Sequence, residues 1–292
     1  MRPMKSVITV AMMLAACTQA PRRAATPAAS TLPAAAVATA TMPDGYKLVW
    51  ADEFNVDGPL NPKEWGYDRG FVRNEELQWY QQDNAICKGG YLVIEARRET
   101  KPNPNYVPGS RGWQTNRQNI EYTAASVNTR GIHSWLYVRF EIRAKIDTRP
   151  GSWPAFWTLG VAGRWPANGE IDIMEYYRNM LRANIAWAAN GNGATWNSKR
   201  TPVSAFAKDW SDQFHVWRMD WDANAIKLYC DGVLLNEQEV SKTVNANGVN
   251  PFHGAAYLLL NLAIGGQNGG DPSKTTFPVK YEIDYVRVYQ KP

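Results

Sequence analysis

Glu170, Asp172 and Glu175 stand within six positions of one another in "WPANGEIDIMEYY", residues 165–177, with apolar residues between them. Three carboxylates this close repel one another, so a purely structural use is hard to supply. Two chemistries remain. A hard metal ion wants several oxygen ligands converging on one point, whereas cleavage of a glycosidic bond wants two carboxyl groups acting on opposite sides of it. On a helix the three positions fall at about 0°, 200° and 140° and share no face. On a regular strand Glu170 and Asp172 share a face and Glu175 opposes them. One extra residue at Ile173–Met174, a β-bulge, restores the parity. Ile171 and Ile173 then occupy the buried face, and Met174 is the surplus apolar residue that the bulge absorbs. Retaining hydrolysis brings its two carboxyl groups to about 5–5.5 Å, within reach of two Glu side chains leaning together on a curved sheet. Asp172 between them can share a proton and orient one partner, while mutual repulsion raises the pKa of the acid.

The elements that would position these groups are short strands. "YLVIEARRE", "LYVRFEIRAKI", "HVWRMDWD", "AIKLYCDG", "AYLLLNLAIGG" and "YEIDYVRVYQ" alternate or form β-rich apolar runs. In the second of these Val138, Phe140, Ile142 and Ala144 take one face, and Arg139, Glu141, Arg143 and Lys145 the other, which fits an antiparallel sheet wet on one side. Asp231-Gly232 marks a hairpin. No long segment carries a helical period and no repeat is present. The pattern predicts an all-β chain, one large sandwich of two antiparallel sheets.

The 292 residues, 45% of them hydrophobic, suffice for a sizeable core. Thirteen Trp, fourteen Tyr and eight Phe supply flat amphipathic rings, which can fill a core or form platforms for the C–H face of a sugar. The net charge of +5 is spread thinly, which argues against a nucleic-acid partner and leaves room for an acidic polysaccharide or an anionic surface. At the amino terminus Arg2 and Lys5 precede the apolar run "VITVAMMLAAC", a secretory signal too short to span a bilayer as a mature helix. Its end, "LAAC", resembles a bacterial lipobox, which implies cleavage before Cys17 and a lipid on that thiol. The Ala-, Pro- and Thr-rich stretch that follows reads as a flexible tether. The expected division is a signal segment 1–16, a lipidated tether 17–44 and one catalytic domain 45–292. Cys87 and Cys230 could pair in an exported protein, but two separate buried thiols are at least as consistent with the sequence.

The carboxylate stretch carries a specific resemblance. "GEIDIMEYY" is similar to the bulged E-x-D-x-x-E signature of glycoside hydrolase family 16, as found in its laminarinases, licheninases and agarases. "LVWADEFN", "RNEELQWYQQDNA", "LVIEARRE", "GSWPAFWTLG", "FHVWRMDWD", "LLLNLAIGG" and "IDYVRVYQ" resemble the family in the same order, across nearly all of residues 46–290. The resemblance implies a β-jelly-roll with a concave cleft and a retaining, endo-acting double displacement. Glu170 would be the nucleophile, Glu175 the acid and then the base, and Asp172 the helper between them. No cofactor is required for catalysis on this reading.

The same resemblance implies substrate contacts. Tryptophans in these positions line sugar subsites, which selects Trp153 and Trp165, while Trp157 is expected in the core because it must face away from Phe156. Arg73, Asn74 and Glu75 match a polar cluster that hydrogen-bonds sugar hydroxyls. Asn184 and Trp187 should lie on the strand after the catalytic one, and Gln267, with Asn268, in a cleft-side loop. Many laminarinases carry a His on that neighbouring strand and a Trp in that loop; this chain has neither, which bears on its glucan specificity. Glu53 and Asp284 match positions near a structural calcium site. His133, His215 and His253 are scattered and argue against a zinc mechanism. The expected protein is therefore a monomeric, lipid-anchored or secreted endo-glycosidase of a bacterial cell envelope. Its expected substrate is a β-1,3- or mixed β-1,3/1,4-glucan. A β-galactan substrate, a transglycosylase and a non-catalytic carbohydrate-binding jelly roll are the alternatives.

Overall fold

The computed structural model describes residues 44–191 and 193–292; the expected signal segment, Cys17 and all of the expected tether but Asp44 lie outside the described residues. Among the described residues seventeen strands follow one another: β1 Lys47–Asp52, β2 Gly66–Tyr67, β3 Gln78–Tyr80, β4 Ala85–Lys88, β5 Tyr91–Pro102, β6 Asn119–Ala124 and β7 Ser126–Asn128. Then come β8 Arg139–Ile146, β9 Ser152–Gly160, β10 Glu170–Tyr177, β11 Met180–Trp187 and β12 Thr195–Pro202. The last are β13 His215–Trp221, β14 Ala225–Cys230, β15 Val233–Glu239, β16 Ala256–Ile264 and β17 Val279–Gln290. Among the described residues helix is confined to single turns, and no helix is long and apolar enough to cross a membrane.

The strands form two sheets. One runs β15-β14-β13-β8-β17-β5-β6-β3, with β1 beside β17 and β4 beside β5; the other runs β12-β11-β10-β9-β16-β7-β2. Pairing is antiparallel apart from β3 with β6. This is the two-sheet sandwich that the alternating pattern implies. β8 keeps its sequence parity: Phe140, Ile142 and Ala144 are buried between the sheets, and removing a buried ring such as Phe140 costs about 3–5 kcal/mol. Arg139, expected on the wet face, is itself buried, bridged to Asp220 and Asp44 and stacked over Tyr46. Asp231 and Gly232 both take positive φ, 49° and 79°, in the tight turn between β14 and β15, as two-residue hairpins require.

The inner face of the seven-stranded sheet carries Phe156, Ile171, Ile173, Met174, Ile185 and Leu260 into the core. Its outer face is therefore set by the opposite parity, and that face holds the cleft. Cys87 and Cys230 are both free and buried, and burial pushes the Cys87 thiol up to about 12.

Candidate active site

The register of β10 departs from a plain ladder where the three carboxylates demand it. Against β11, Asp172 opposes Asn184 and Glu175 opposes Arg182, three steps against two. Against β9, Asp172 opposes Trp157 and Met174 opposes Phe156, two steps against one. The extra residue thus sits at Ile173–Met174, and both side chains are fully buried. Glu170, Asp172 and Glu175 all line one cleft of about 710 Å³ on the outer face.

Neighbouring strands supply the partners through the same parity. From β9 come Trp153, Ala155, Trp157 and Leu159; from β11 Arg182 and Asn184; from β12 Trp196, Ser198 and Arg200; from β16 Tyr257, Leu259 and Asn261. Trp153 Nε1 donates to Glu175 Oε1 at 2.7 Å, and Trp165 Nε1 donates to Glu170 Oε2 at 2.7 Å. Asn184 Nδ2 donates to both Asp172 Oδ2 (2.9 Å) and Glu175 Oε2 (3.0 Å), while its buried Oδ1 has no partner.

These surroundings separate the carboxyl groups. Burial, then repulsion from Glu175, raises Glu170 to about 7, opposed by hydrogen bonds from Asp172 and Trp165 and by the charge of Arg73. Burial, then the charge of Asp172, raises Glu175 to about 8, opposed by Trp153, Arg182 and Asn184. Asp172, enclosed between them, is held well above the ordinary carboxylate range by burial and by Glu170. In the bond between Asp172 and Glu170 the aspartic acid is the side that keeps the proton, since the contact raises Asp172 and lowers Glu170. Glu170 is thus the first of the two glutamates to ionise, near about 7, while Glu175 holds its proton to about 8 and Asp172 is the side that keeps the proton it shares with Glu170. That is a carboxylate nucleophile opposite a carboxylic acid.

Across the cleft the segment after β2 builds a second polar wall. Arg73 Nη2 donates to Asp68 Oδ2 at 2.6 Å, and its guanidinium lies 5.1 Å from the Trp157 ring centroid. Asn74 Nδ2 reaches Glu76 Oε1 at 3.4 Å, and Gln78 Nε2 donates to Glu76 Oε2 at 2.7 Å. Asn74 and Glu75 both take positive φ, and the chain after β16 presses directly on them. A Cβ on Gly266 would stand 2.7 Å from the Asn74 carbonyl oxygen and 2.8 Å from Glu76 Cα, so only glycine fits there.

Of the residues expected from sequence, Glu170, Asp172, Glu175, Arg73, Asn74, Trp153, Trp165 and Asn184 meet in the cleft. Four expectations are corrected. Glu75 is exposed and does not line the cleft; its carbonyl accepts from Arg117 Nη2 at 3.0 Å. Trp187 lies in the core, because three steps from Asn184 reverse the strand face. Gln267 contributes backbone only, its N–H donating to Asn74 O and its carbonyl accepting from Arg178, and Asn268 is the residue of that loop that lines the cleft. Trp157, expected in the core, is buried but on the cleft face, where it packs with Ala155, Tyr257 and Leu259 and donates from Nε1 to Asn261 Oδ1 at 2.7 Å; Phe156 takes the inner core. The shared parity of Trp153 and Trp157 was the available signal. Asp68, Glu76, Tyr177, Arg182, Trp196 and Arg200 were not anticipated; the last two alternate on a strand whose sequence, "TWNSKRTP", has no apolar face to orient it.

Glu53 and Asp284 do not fit a calcium ion. Arg287 grips both oxygens of Glu53 at 2.7 and 2.8 Å, and Arg143 holds Asp284 at 2.6 Å, so guanidinium groups stand where a cation site needs further anionic oxygens. The histidines lie outside the cleft lining. His133 meets Glu64, His253 meets Tyr137, and His215 has both ring nitrogens engaged by Asp231 and the Trp210 carbonyl.

Comparison with known proteins agrees with this geometry. Residues 75–287 match the family model "Glycosyl hydrolases family 16". A beta-glucanase of Rhodothermus marinus is 34% identical over 270 residues, covering 84% of this chain and 85% of that one. Among solved structures, SCLam, a non-specific endo-beta-1,3(4)-glucanase from family GH16, is 36% identical with a TM-score of 0.71, over 86% of this chain and 93% of its own. A structure described with the words "endo-acting O-glycanases to initiate mucin breakdown", from members of the human gut microbiota, is 35% identical with a TM-score of 0.78, over the same shares.

Proposed function

We propose, for a chain that belongs to glycosyl hydrolases family 16 and is thereby an endo-acting glycoside hydrolase, a retaining double displacement at internal β-1,3- or mixed β-1,3/1,4-linkages of a glucan. The observation that carries it is the bulge at Ile173–Met174, which brings Glu170 and Glu175 to one face in surroundings where Glu170 ionises first, near about 7, and Glu175 holds its proton to about 8. In the first step a Glu170 oxygen attacks the anomeric carbon while the Glu175 carboxyl gives its proton to the departing glycosidic oxygen. In the second, the Glu175 carboxylate takes a proton from water, whose oxygen displaces Glu170. Asp172 donates its hydrogen bond to the Glu170 anion and is itself held by Asn184. Trp153 and Trp165 combine an apolar ring with an N–H fixed on a carboxylate, which suits stacking on a sugar whose anomeric centre must lie between the two acids.

The glucan assignment is supported by the beta-glucanase and SCLam matches. A second reading, a β-galactan or mucin-type glycan, is favoured by the TM-score of 0.78 to the O-glycanase structure. The lipid-anchored placement at a bacterial envelope rests on the amino-terminal sequence alone.

Initial rates on laminarin, barley glucan, lichenan, agarose and mucin glycans separate these substrates. Nuclear magnetic resonance of the first-formed products should show retention of the anomer; inversion would overturn the double displacement. The Glu170→Ala protein should form the inverted glycosyl azide when azide is supplied and the Glu175→Ala protein the retained one. The opposite pattern would exchange the two roles.

A further inference from the structure

Directly opposed residues of an antiparallel pair avoid like charge, because two cations facing each other destabilise the sheet. Arg182 on β11 and Arg200 on β12 are such a pair, and both line the cleft. Among the described residues neither reaches a carboxylate within ion-pairing distance, although Arg73, in the same cleft, is held by both Asp68 and Glu76. Arg182 is only 9% exposed. Its guanidinium lies 3.8 Å from the centroid of the Tyr177 ring, and its buried Nε has no hydrogen-bond partner. Burial, and the charges of Arg200 and Arg178, hold its pKa below the ordinary range, with Tyr177 and Glu175 pulling the other way. Glu175, which opposes Arg182 across the β10–β11 ladder, makes no ion pair with it and holds its own proton to about 8, so it is a weak countercharge.

A desolvated cation that is repelled by its neighbours and lacks a partner is costly to keep. A planar guanidinium beside a second one is well suited to a tetrahedral or planar oxyanion. We propose that Arg182 and Arg200, backed by Tyr177, form a subsite for an anionic substituent, a sulfate ester or a carboxylate, on a sugar bound at the Glu175 side of the cleft. The preferred substrate is then an acidic glycan, which favours the galactan or mucin-type reading over a neutral glucan. This rests on the glycosidase reading above and adds the charge of its substrate.

The test uses three oligosaccharides of one backbone: neutral, O-sulfated and uronate-bearing. Calorimetry on the Glu170→Gln protein should give at least about tenfold tighter binding of one anionic form over the neutral one, the range expected for a hydrogen bond to a charged group. Which form wins identifies the anion. The preference should shrink toward unity near about 1 M salt, where the Debye length is about 3 Å. Arg200 is exposed on β12, so Arg200→Glu should fold and should reverse the preference; Arg182→Lys, which keeps the charge and loses the fork, should weaken it. Equal affinity for all three forms, or a ratio unchanged in Arg200→Glu, would overturn the subsite. Failure of the wild-type enzyme to cut any of the three would count against the glycosidase reading, while the affinity ratios still decide the subsite.

Discussion

Replacing Glu175 by Gln should stabilise the protein in alkali and destabilise it in acid, and the magnitudes follow from the site. Glu175 is held at about 8 against an ordinary value of 4.5. Between those values the folded state binds more protons than the unfolded chain. Stability from this raised group is therefore fully present below about 4.5 and is lost as pH climbs to about 8. At about 1.4 kcal/mol per tenfold, the loss by pH 9 is about 5 kcal/mol. Glutamine has no proton to lose and escapes it. In exchange, Asn184 Nδ2, which donates to Glu175 Oε2 at 3.0 Å, would face the new amide nitrogen, donor against donor, at a cost of about 1–2 kcal/mol. The net effect is about −1 to −2 kcal/mol near pH 4 and about +3 to +4 kcal/mol near pH 9. For a domain of this size each kcal/mol moves Tm by about 2–4 °C. Scanning calorimetry from acid to alkali should thus find the variant melting about 2–8 °C lower near pH 4 and about 6–16 °C higher near pH 9, with the curves crossing between about pH 5 and 6. Its hydrolytic rate should fall by at least about 10²-fold throughout, as loss of a general acid requires. A Tm difference of constant sign and size across that range would refute the claim that the site strains against an ionised Glu175.

Further outcomes follow from the same geometry. The rate constant kcat/KM on a short oligosaccharide should be bell-shaped, rising as Glu170 ionises near about 7 and falling as Glu175 loses its proton near about 8; a plateau extending to pH 4 would contradict a nucleophile whose carboxyl is raised by its burial. Deleting Met174 should leave no measurable hydrolysis and little soluble protein, because the plain strand turns Glu175 into the core at a cost of about 3–5 kcal/mol; an active deletion variant would make the bulge irrelevant. Chelation with EDTA, or added calcium, should move Tm by less than about 1 °C, since Glu53 and Asp284 are already gripped by arginines. A rise of several degrees with calcium would show a site elsewhere in the chain.

What the sequence made legible was what periodicity controls. The sandwich, the wet and dry faces of β8, the Asp231-Gly232 turn and the bulge itself all follow from counting residues by twos. Trp157 and Trp187 were misplaced although that same counting would have corrected both, from Trp153 in one case and Asn184 in the other. The two cleft arginines differ in this respect. In "MLRANIAW" Arg182 shares a face with Asn184, opposite Leu181, Ala183, Ile185 and Trp187, so counting from Asn184 would have found it, whereas "TWNSKRTP" gives polar residues in both directions. That strand does not reveal which face meets the cleft until its register against β11 is known. Gln267 failed on backbone grounds: its loop is shaped by the close approach of Gly266 to Asn74, a contact between segments almost two hundred residues apart.

The placement of β12 at the margin of the seven-stranded sheet has an evolutionary reading. Glu170, Asp172 and Glu175 stand on β10, flanked on both sides by paired strands and anchored by Ile171, Ile173 and Met174 in the core. Almost any change there disturbs packing and chemistry together. β12 has a neighbour on one side only, and its Trp196, 45% exposed, and Arg200 project from a strand with few buried atoms. Exposed substitutions of that kind usually cost no more than about 0.5 kcal/mol. A lineage can therefore retune which glycan the cleft accepts by rewriting this one marginal strand, while the bond-breaking apparatus two strands inward stays fixed.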